Sequence, residues 1–279
     1  MSETSWKDAL PLGKNTEYVS VYTPSLLKKI PRSISRVDLG LSNNAELPFL
    51  GTDLWTAYEL SWLDMRGKPM VAMAQFQVPC HSDFIIESKS LKLYLNSFNQ
   101  SKFESSTEVV NMIEVDLSAC ANFPVLVDLH SLAAYESEGF GHFIGECIDH
   151  IETTIEKYHP DANLLRLCSS EAEVKETLHS HLLKTNCPVT SQPDWASVMI
   201  KYVGPKIDRE SLLKYIVSYR EYSDFHEHCI EKIYMDILTY CKSTELTVYG
   251  RFTRRGGLDI NPYRSSNKGV PDRLRLVRQ

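Results

Sequence analysis

The chain has 279 residues, room for one large core or two ordinary ones, since a usual domain holds about 100 to 150 residues. Hydrophobic residues at 43% and charged residues at 24% are ordinary globular values, and no run approaches the ~18 apolar residues of a membrane span. A net charge of −6 argues against a general nucleic-acid binder, whose domain carries a strong positive excess.

Residues 1–50 are polar, with turn formers at Pro11-Leu12-Gly13 and Ser42-Asn43-Asn44, and read as an irregular lead-in wrapping the core. The start, Met1 to Lys7, shows no basic and apolar signal pattern. Trp55–Trp62 and Met70–Val78, rich in aromatic and apolar residues around Arg66-Gly67-Lys68-Pro69, predict a β-hairpin. Leu91, Tyr94, Leu95 and Phe98 fall at the i, i+3, i+4, i+7 spacing of an amphipathic helix, with Glu87, Ser88 and Lys89 at its first turn. A helix start offers free N–H groups, so this turn reads either as an ordinary cap or as an anion site. A second helix is expected from Glu104 to Ala119, then a strand over Pro124–Leu129.

The second half repeats this order. Strands are expected near Leu178–Lys184 and Ala196–Val203, a helix over Ile207–Tyr219, another over Asp224–Thr239, and a closing strand over Leu246–Thr253. Leu212, Tyr215, Ile216 and Tyr219 match Leu91, Tyr94, Leu95 and Phe98 at a constant offset of 121, as do Ile207 and Ser211 with Ile86 and Ser90. One inserted residue then sets Phe103 opposite Phe225. The chemistry-bearing residues are split between the copies. Glu87-Ser88-Lys89 occurs only in the first, whereas Cys187, Asp194 and His226-Glu227 occur only in the second. Such a divided site is assembled where copies meet, within one chain or across a dimer.

Cys187 stands in Asn186-Cys187-Pro188-Val189-Thr190, ahead of Pro193-Asp194-Trp195. Two prolines restrict the backbone here, so a stiff loop is expected to hold thiol and carboxyl near one another. Taken alone, Cys187 reads as a small buried core residue. Seven cysteines, an odd number without framework spacing, suit a reducing compartment, which makes the cytoplasm the expected location. Eight Lys and Arg against two Asp make residues 251–279 +6 and the remainder −12, so that tail reads either as a place where something anionic docks or as a solvated basic end.

Two motifs point elsewhere. Gly139-Phe140-Gly141-His142-Phe143-Ile144-Gly145 looks like a nicotinamide-binding turn, but no strand runs directly into it, and it reads as a loop entering a helix. His226, His228 and Cys229 with Cys187, Cys80-His81, and His179 with His181 are candidate zinc ligands. None shows a C-x-x-C pair or a four-ligand set, so no metal is expected at the site.

Taken together, Glu87 to Tyr94, Asn186 to Thr190, Phe225-His226-Glu227 and Phe252-Thr253-Arg254-Arg255-Gly256-Gly257-Leu258-Asp259-Ile260-Asn261-Pro262 resemble the NADPH-dependent 7-cyano-7-deazaguanine reductases of queuosine biosynthesis, in their long two-module form. The resemblance implies an α+β fold of two tandem tunnelling-fold modules, each an antiparallel four-stranded sheet with two helices on one face. The expected division is a lead-in over 1–50, a first module over 51–150 and a second over 151–279. It further implies reduction of a nitrile to a primary amine with two NADPH and no metal. Cys187 would be the nucleophile and Asp194 the proton donor. Ile86, Glu87, Ser88, His226 and Glu227 would contact the deazaguanine, and Ser88, Lys89, Arg255 and Gly256 would contact NADPH. A homodimer is expected, with no direct nucleic-acid or membrane partner.

The residue types suit that chemistry. Thiolate addition turns a nitrile into a thioimide, a C=N group that accepts hydride once protonated. Asp194, beside Trp195, is expected to be desolvated and to hold its proton. Glu87 and Glu227 offer acceptors for the N–H donors of a guanine-like base, and Arg254-Arg255-Gly256-Gly257 reads as a flexible phosphate clamp. A zinc-dependent pterin enzyme of the tunnelling fold and a non-catalytic tRNA-binding protein are the competing readings.

Overall fold

Two long hairpins, one from each half of the chain, are built from strands that are buried on both faces along a central run of three to five residues and alternate between more and less buried side chains toward their ends. The computed structural model describes residues 18–41, 46–169, 173–273 and 275–279; Met1 to Lys7 and the two turns noted at Pro11 and Ser42 lie outside them. The described chain divides into two units. The first holds residues up to Val37, Asp53–Gly139 and Arg254–Asp259, and the second Asp38–Thr52, Phe140–Thr253 and Ile260–Gln279.

In the first unit, β1 (Lys29–Pro31) pairs antiparallel with β4 (Phe84–Ile86). The long strands β2 (Leu50–Leu63) and β3 (Pro69–Pro79) neighbour β5 (Leu126–His130) in the order β5-β3-β2. The β2–β3 turn is closed chemically: Asp64 Oδ1 accepts the N–H groups of Arg66 and Lys68, each at 2.9 Å, and Gly67 supplies φ +87°. Helices α1 (Arg32–Arg36), α2 (Ser88–Asn96), α3 (Ser106–Ala121) and α4 (Leu132–Glu138) complete the unit, with α3 packed on β4 and β5. The lead-in is more ordered than its composition suggests, because β1 borrows its regularity from β4 and α1 carries buried Arg32, whose guanidinium pairs with Asp53 at 2.6 Å.

In the second unit the strand order is β10 (Leu258–Ser265), β9 (Glu245–Phe252), β8 (Pro193–Pro205), β7 (Glu173–Asn186) and β6 (Glu146–Cys147). Helices α5 (Arg209–Ser218) and α6 (His226–Cys241) pack on β7 and β9 respectively. Pro193 and Pro205 sit at the two ends of β8, where a missing donor costs the ladder least. β10 lies beyond the last strand read from sequence, since Asn261-Pro262 interrupts its apolar pattern. The ladders are antiparallel except that β6 runs parallel to β7. The Gly139–Gly145 run leaves α4 rather than entering a helix: Gly139, at φ +70°, is the C-cap of α4, and β6 follows.

Each unit contains the same internal wiring. Ser90 Oγ donates to the Glu87 carbonyl at 2.7 Å and accepts the Lys28 N–H, while Ser211 Oγ donates to the Asp208 carbonyl at 2.8 Å and accepts the Arg166 N–H. Tyr94 reaches Asp116 at 2.6 Å and Tyr215 reaches Asp236 at 2.7 Å. Both long helices end on a left-handed residue, Asn122 and Lys242. The backbone bonds that follow correct the reading of Phe103. Phe103 N–H bonds the Leu63 carbonyl as Asp224 N–H bonds that of Asn186, so Phe103 corresponds to Asp224, and α6 then starts one residue early relative to α3. The second copy has lost a residue there, not gained one.

Candidate active site

In the second unit the site begins where β7 and β8 meet. Thr185 faces Asp194 and Asn186 faces Pro193 across the ladder, and residues 187–192 form the loop. That loop is held by Cys187 N–H to the Gln192 carbonyl at 2.8 Å and by Ser191 N–H to the Cys187 carbonyl at 3.0 Å, with Ser191 left-handed at φ +55°. Cys187 is therefore fixed at the hairpin end and is 3% exposed, while Asp194 is the second residue of β8 and equally buried at 3%.

The first turn of α6 brings His226 to Asp194. His226 Nε2 lies 3.3 Å from Asp194 Oδ2, and the imidazole stacks on Phe252 of β9, ring centres 3.8 Å apart at 5°. His226 Nδ1 is buried with no hydrogen-bond partner. Glu227 follows, 4% exposed. Unlike α3, whose cap Ser105 accepts the Glu108 N–H, α6 is preceded by Phe225, whose side chain cannot cap, and the Phe225 N–H is taken by Asp224 Oδ1 at 2.7 Å.

In the first unit, Glu87 is the N-cap of α2 and its two oxygens accept the N–H groups of Lys89 at 2.9 Å and Ser90 at 2.7 Å. The carboxylate thus occupies helix donors that an external anion would otherwise take. Glu87 is 1% exposed, and burial raises its pKa against the opposing pull of those two N–H groups. Ile86 closes β4 opposite Lys29 and is buried, whereas Ser88 and Lys89 are half-buried on the first turn.

The Arg254-Arg255-Gly256-Gly257 segment is a tight turn rather than a floppy one. Arg255 and Leu258 exchange both backbone hydrogen bonds, at 2.9 and 3.2 Å, and the two glycines take φ +61° and +79°. A Cβ on Gly257 would lie 2.4 Å from Glu59 Cδ. Lys92, one turn along α2 from Lys89, joins this turn to the helix: its Nζ donates to the Gly256 carbonyl at 2.6 Å and pairs with Glu59 at 3.0 Å. Arg254 is exposed and lies over the Tyr58 ring at 4.7 Å, and Tyr58 donates to Asp259 at 2.5 Å.

Lys92, Glu59 and Phe252 stand in stretches that the sequence singled out, but the sequence assigned them no role. Lys92 carried a signal, three residues after Lys89 on the same helical face, but nothing local links it to a turn so distant in sequence. The basic tail is also less available than its charge suggests. Arg251 and Arg264 are buried, Arg264 paired with Glu231 at 2.9 Å and Arg251 bonded to Gln279 at 2.8 Å.

These features describe an α+β protein of antiparallel sheets and paired helices with a buried thiol, carboxyl and imidazole at one hairpin end. Residues 18–129 match the family model described as nitrile reductase, 7-cyano-7-deazaguanine reductase, N-terminal, and residues 193–270 match that of QueF-like protein. The chain belongs to the 7-cyano-7-deazaguanine reductase family in its two-module form, an NADPH-using family of nitrile oxidoreductases in queuosine biosynthesis. Among solved structures, the apo crystal structure of the archaeosine synthase QueF-like is 18% identical, covering 37% of this chain and 100% of that one at a TM-score of 0.31.

Proposed function

We propose that this chain reduces the nitrile of 7-cyano-7-deazaguanine to the aminomethyl group of 7-aminomethyl-7-deazaguanine, consuming two NADPH and two protons per nitrile, through a covalent thioimide on Cys187. The observation that carries the reading is the buried Asp194–His226 pair beside the hairpin end that fixes Cys187. In this reading the Cys187 thiolate adds to the nitrile carbon, and Asp194 gives its proton to the nitrogen, forming the S–C bond and the thioimide N–H. His226, stacked on Phe252, holds the Asp194 carboxyl in place, and its unpartnered Nδ1 meets a polar group of the base. Glu227 accepts base N–H groups. Glu87, already capping α2, keeps acceptor capacity on each oxygen for the same purpose, and Ile86 and Ser88 border it.

For the dinucleotide, Ser88, Lys89, Arg255 and Gly256 form the holding set. The cationic, partly exposed side chains of Lys89 and Arg255 fit phosphate, and Lys92 fixes the Gly256 carbonyl so that the turn keeps one shape. When bound, NADPH supplies hydride to the C=N carbon. After the first reduction the C–S bond breaks and the pocket retains the imine for the second.

We further propose that the chain works as a homodimer in the cytoplasm. No helix among the described residues is long and apolar enough to cross a membrane, and all seven cysteines are free. Light scattering of the purified protein tests the dimer. The activity is tested by following NADPH oxidation with and without the nitrile: two equivalents consumed per nitrile, and none without it, are expected. Consumption that ignores the nitrile would overturn the reading.

A further inference from the structure

β6 places Cys147 directly opposite His179 in the parallel ladder with β7, and His181 follows two residues on, the same-face spacing of a strand. The Cys147 Sγ and one ring nitrogen from each histidine lie within 4.8 Å of one another. This cluster lies outside the residues given roles in nitrile reduction, and it completes the His179-x-His181 pair that sequence left without partners.

The local fold brings the thiol there deliberately close. Gly145 takes φ +91°, and a Cβ on it would lie 2.1 Å from the Thr177 carbonyl oxygen, so only glycine lets the incoming strand approach β7 this tightly. The Ile148 N–H then bonds the His179 carbonyl at 3.0 Å, fixing the register.

Each imidazole is oriented by a bond from its other nitrogen. His181 Nδ1 lies 2.7 Å from Ser197 Oγ, which leaves Nε2 for a ligand. The His179 ring bonds the Ile144 backbone, and because its Nδ1 is buried without a partner, that bond belongs to Nε2 and the Nδ1 position is the one left over. Asp149 accepts the His181 N–H at 2.9 Å through Oδ2 and also hydrogen-bonds Cys147, while its buried Oδ1 has no partner. Ligand-bound histidines characteristically have their second nitrogen held this way.

We infer that Cys147, His179 and His181 bind a zinc-type divalent cation, with Ser197 and Asp149 as the outer partners, and that the cation ties the 140–147 segment to β7. One thiolate and two imidazoles suit a borderline-soft tetrahedral ion, with the fourth position left to water. Donors of a tetrahedral zinc shell sit roughly 3.3–3.8 Å apart, so closing onto the ion takes side-chain movements of about 1 Å. Coordination replaces the Cys147 S–H bond by a metal–sulfur bond and releases its proton to solvent.

The test uses the full chain stripped with a chelator and titrated with cobalt(II) alone, whose thiolate charge-transfer absorption reports a Cys ligand. One equivalent per chain with that absorption is expected. The band persists in Cys187→Ala and is lost in Cys147→Ser, and zinc competes it away. His181→Ala weakens binding by more than tenfold, and Ser197→Ala by about tenfold. Circular dichroism of the metal-free variants checks folding. If Cys147→Ser does not fold, Ser197→Ala decides: weaker cobalt binding supports the site and unchanged affinity overturns it. No band in the intact chain, or a band that survives in folded Cys147→Ser, also overturns it.

Discussion

His226 Nε2 stands 3.3 Å from Asp194 Oδ2, both side chains are buried, and Phe252 stacks beneath the imidazole at 3.8 Å. A carboxyl held by one imidazole in a buried setting can deliver a proton in a fixed direction, and removing either partner has a different consequence. Asp194→Asn keeps the shape and removes the acid, so kcat for NADPH oxidation falls by about 10²–10⁴ while substrate affinity changes little. His226→Ala leaves Asp194 in place without its imidazole and raises KM as well. Equal kcat in wild type and Asp194→Asn would assign the proton to another group.

Glu227 is buried on the first turn of α6 and is given the task of reading the base. Glu227→Ala leaves a substrate N–H unpaired in a buried setting, which costs about 1–3 kcal/mol of binding, roughly tenfold or more in Kd. Calorimetric titration of the nitrile into the variant checks this, and an unchanged Kd removes Glu227 from the recognition set.

The duplicated wiring makes a paired stability prediction. Tyr94→Phe deletes one half-buried bond to Asp116, whereas Tyr215→Phe deletes a half-buried bond to Asp236 and a buried one to the Tyr219 hydroxyl, the latter at 2.7 Å. Bonds to a charged partner contribute about 1.5–3 kcal/mol, so both variants lose stability and Tyr215→Phe loses more. Urea unfolding measures the order; a larger loss in Tyr94→Phe contradicts it.

That wiring also shows how far the sequence could be read. The offset of 121 between Leu91 and Leu212 was visible because helix periodicity repeats apolar residues on a buried face. It carried Ser90 onto Ser211, whose hydroxyls turned out to make matching bonds. The shift after Phe103 was misread because matching one aromatic with another ignores backbone pairing, which alone sets the register there. β10 was missed because Asn261-Pro262 reads as a turn, although the Asn261 side chain accepts the Phe252 N–H at 3.1 Å. Cys187 and Asp194 were placed in one stretch by their spacing, but the His226 contact depends on how α6 packs on β9, and no local pattern encodes that.

Glu87 gives a pH-dependent prediction. Burial raises its pKa above the ordinary value of 4.5, so between that value and the raised one the folded chain binds more protons than the unfolded chain. Stability attributable to Glu87 is therefore full below about pH 4.5 and declines as pH rises. Glu87→Gln does not titrate, so the wild-type Tm minus the variant Tm should shrink from pH 4 to pH 7. A difference that grows over that range would mean that the Lys89 and Ser90 N–H groups outweigh burial.

The thiols separate one covalent mechanism from all others. Burial pushes Cys120 up to about 11 and Cys241 up to about 12, and also raises Cys229, so at neutral pH these three are protonated and poor nucleophiles. Cys187, held at the hairpin end by Gln192 and Ser191, is the thiol assigned to attack. Without NADPH the reaction stops after thiolate addition, because nothing delivers hydride to the thioimide. Intact mass then rises by the whole mass of the nitrile, since addition to a C≡N bond expels no leaving group. Peptide mapping places the gain on Cys187 and leaves the other six cysteines unmodified. Cys187→Ala forms no adduct yet still binds the nitrile, and Asp194→Asn forms it more slowly because the developing nitrogen anion lacks its acid. Adding NADPH restores the unmodified mass and releases the amine. Normal turnover by Cys187→Ala would rule out the thioimide.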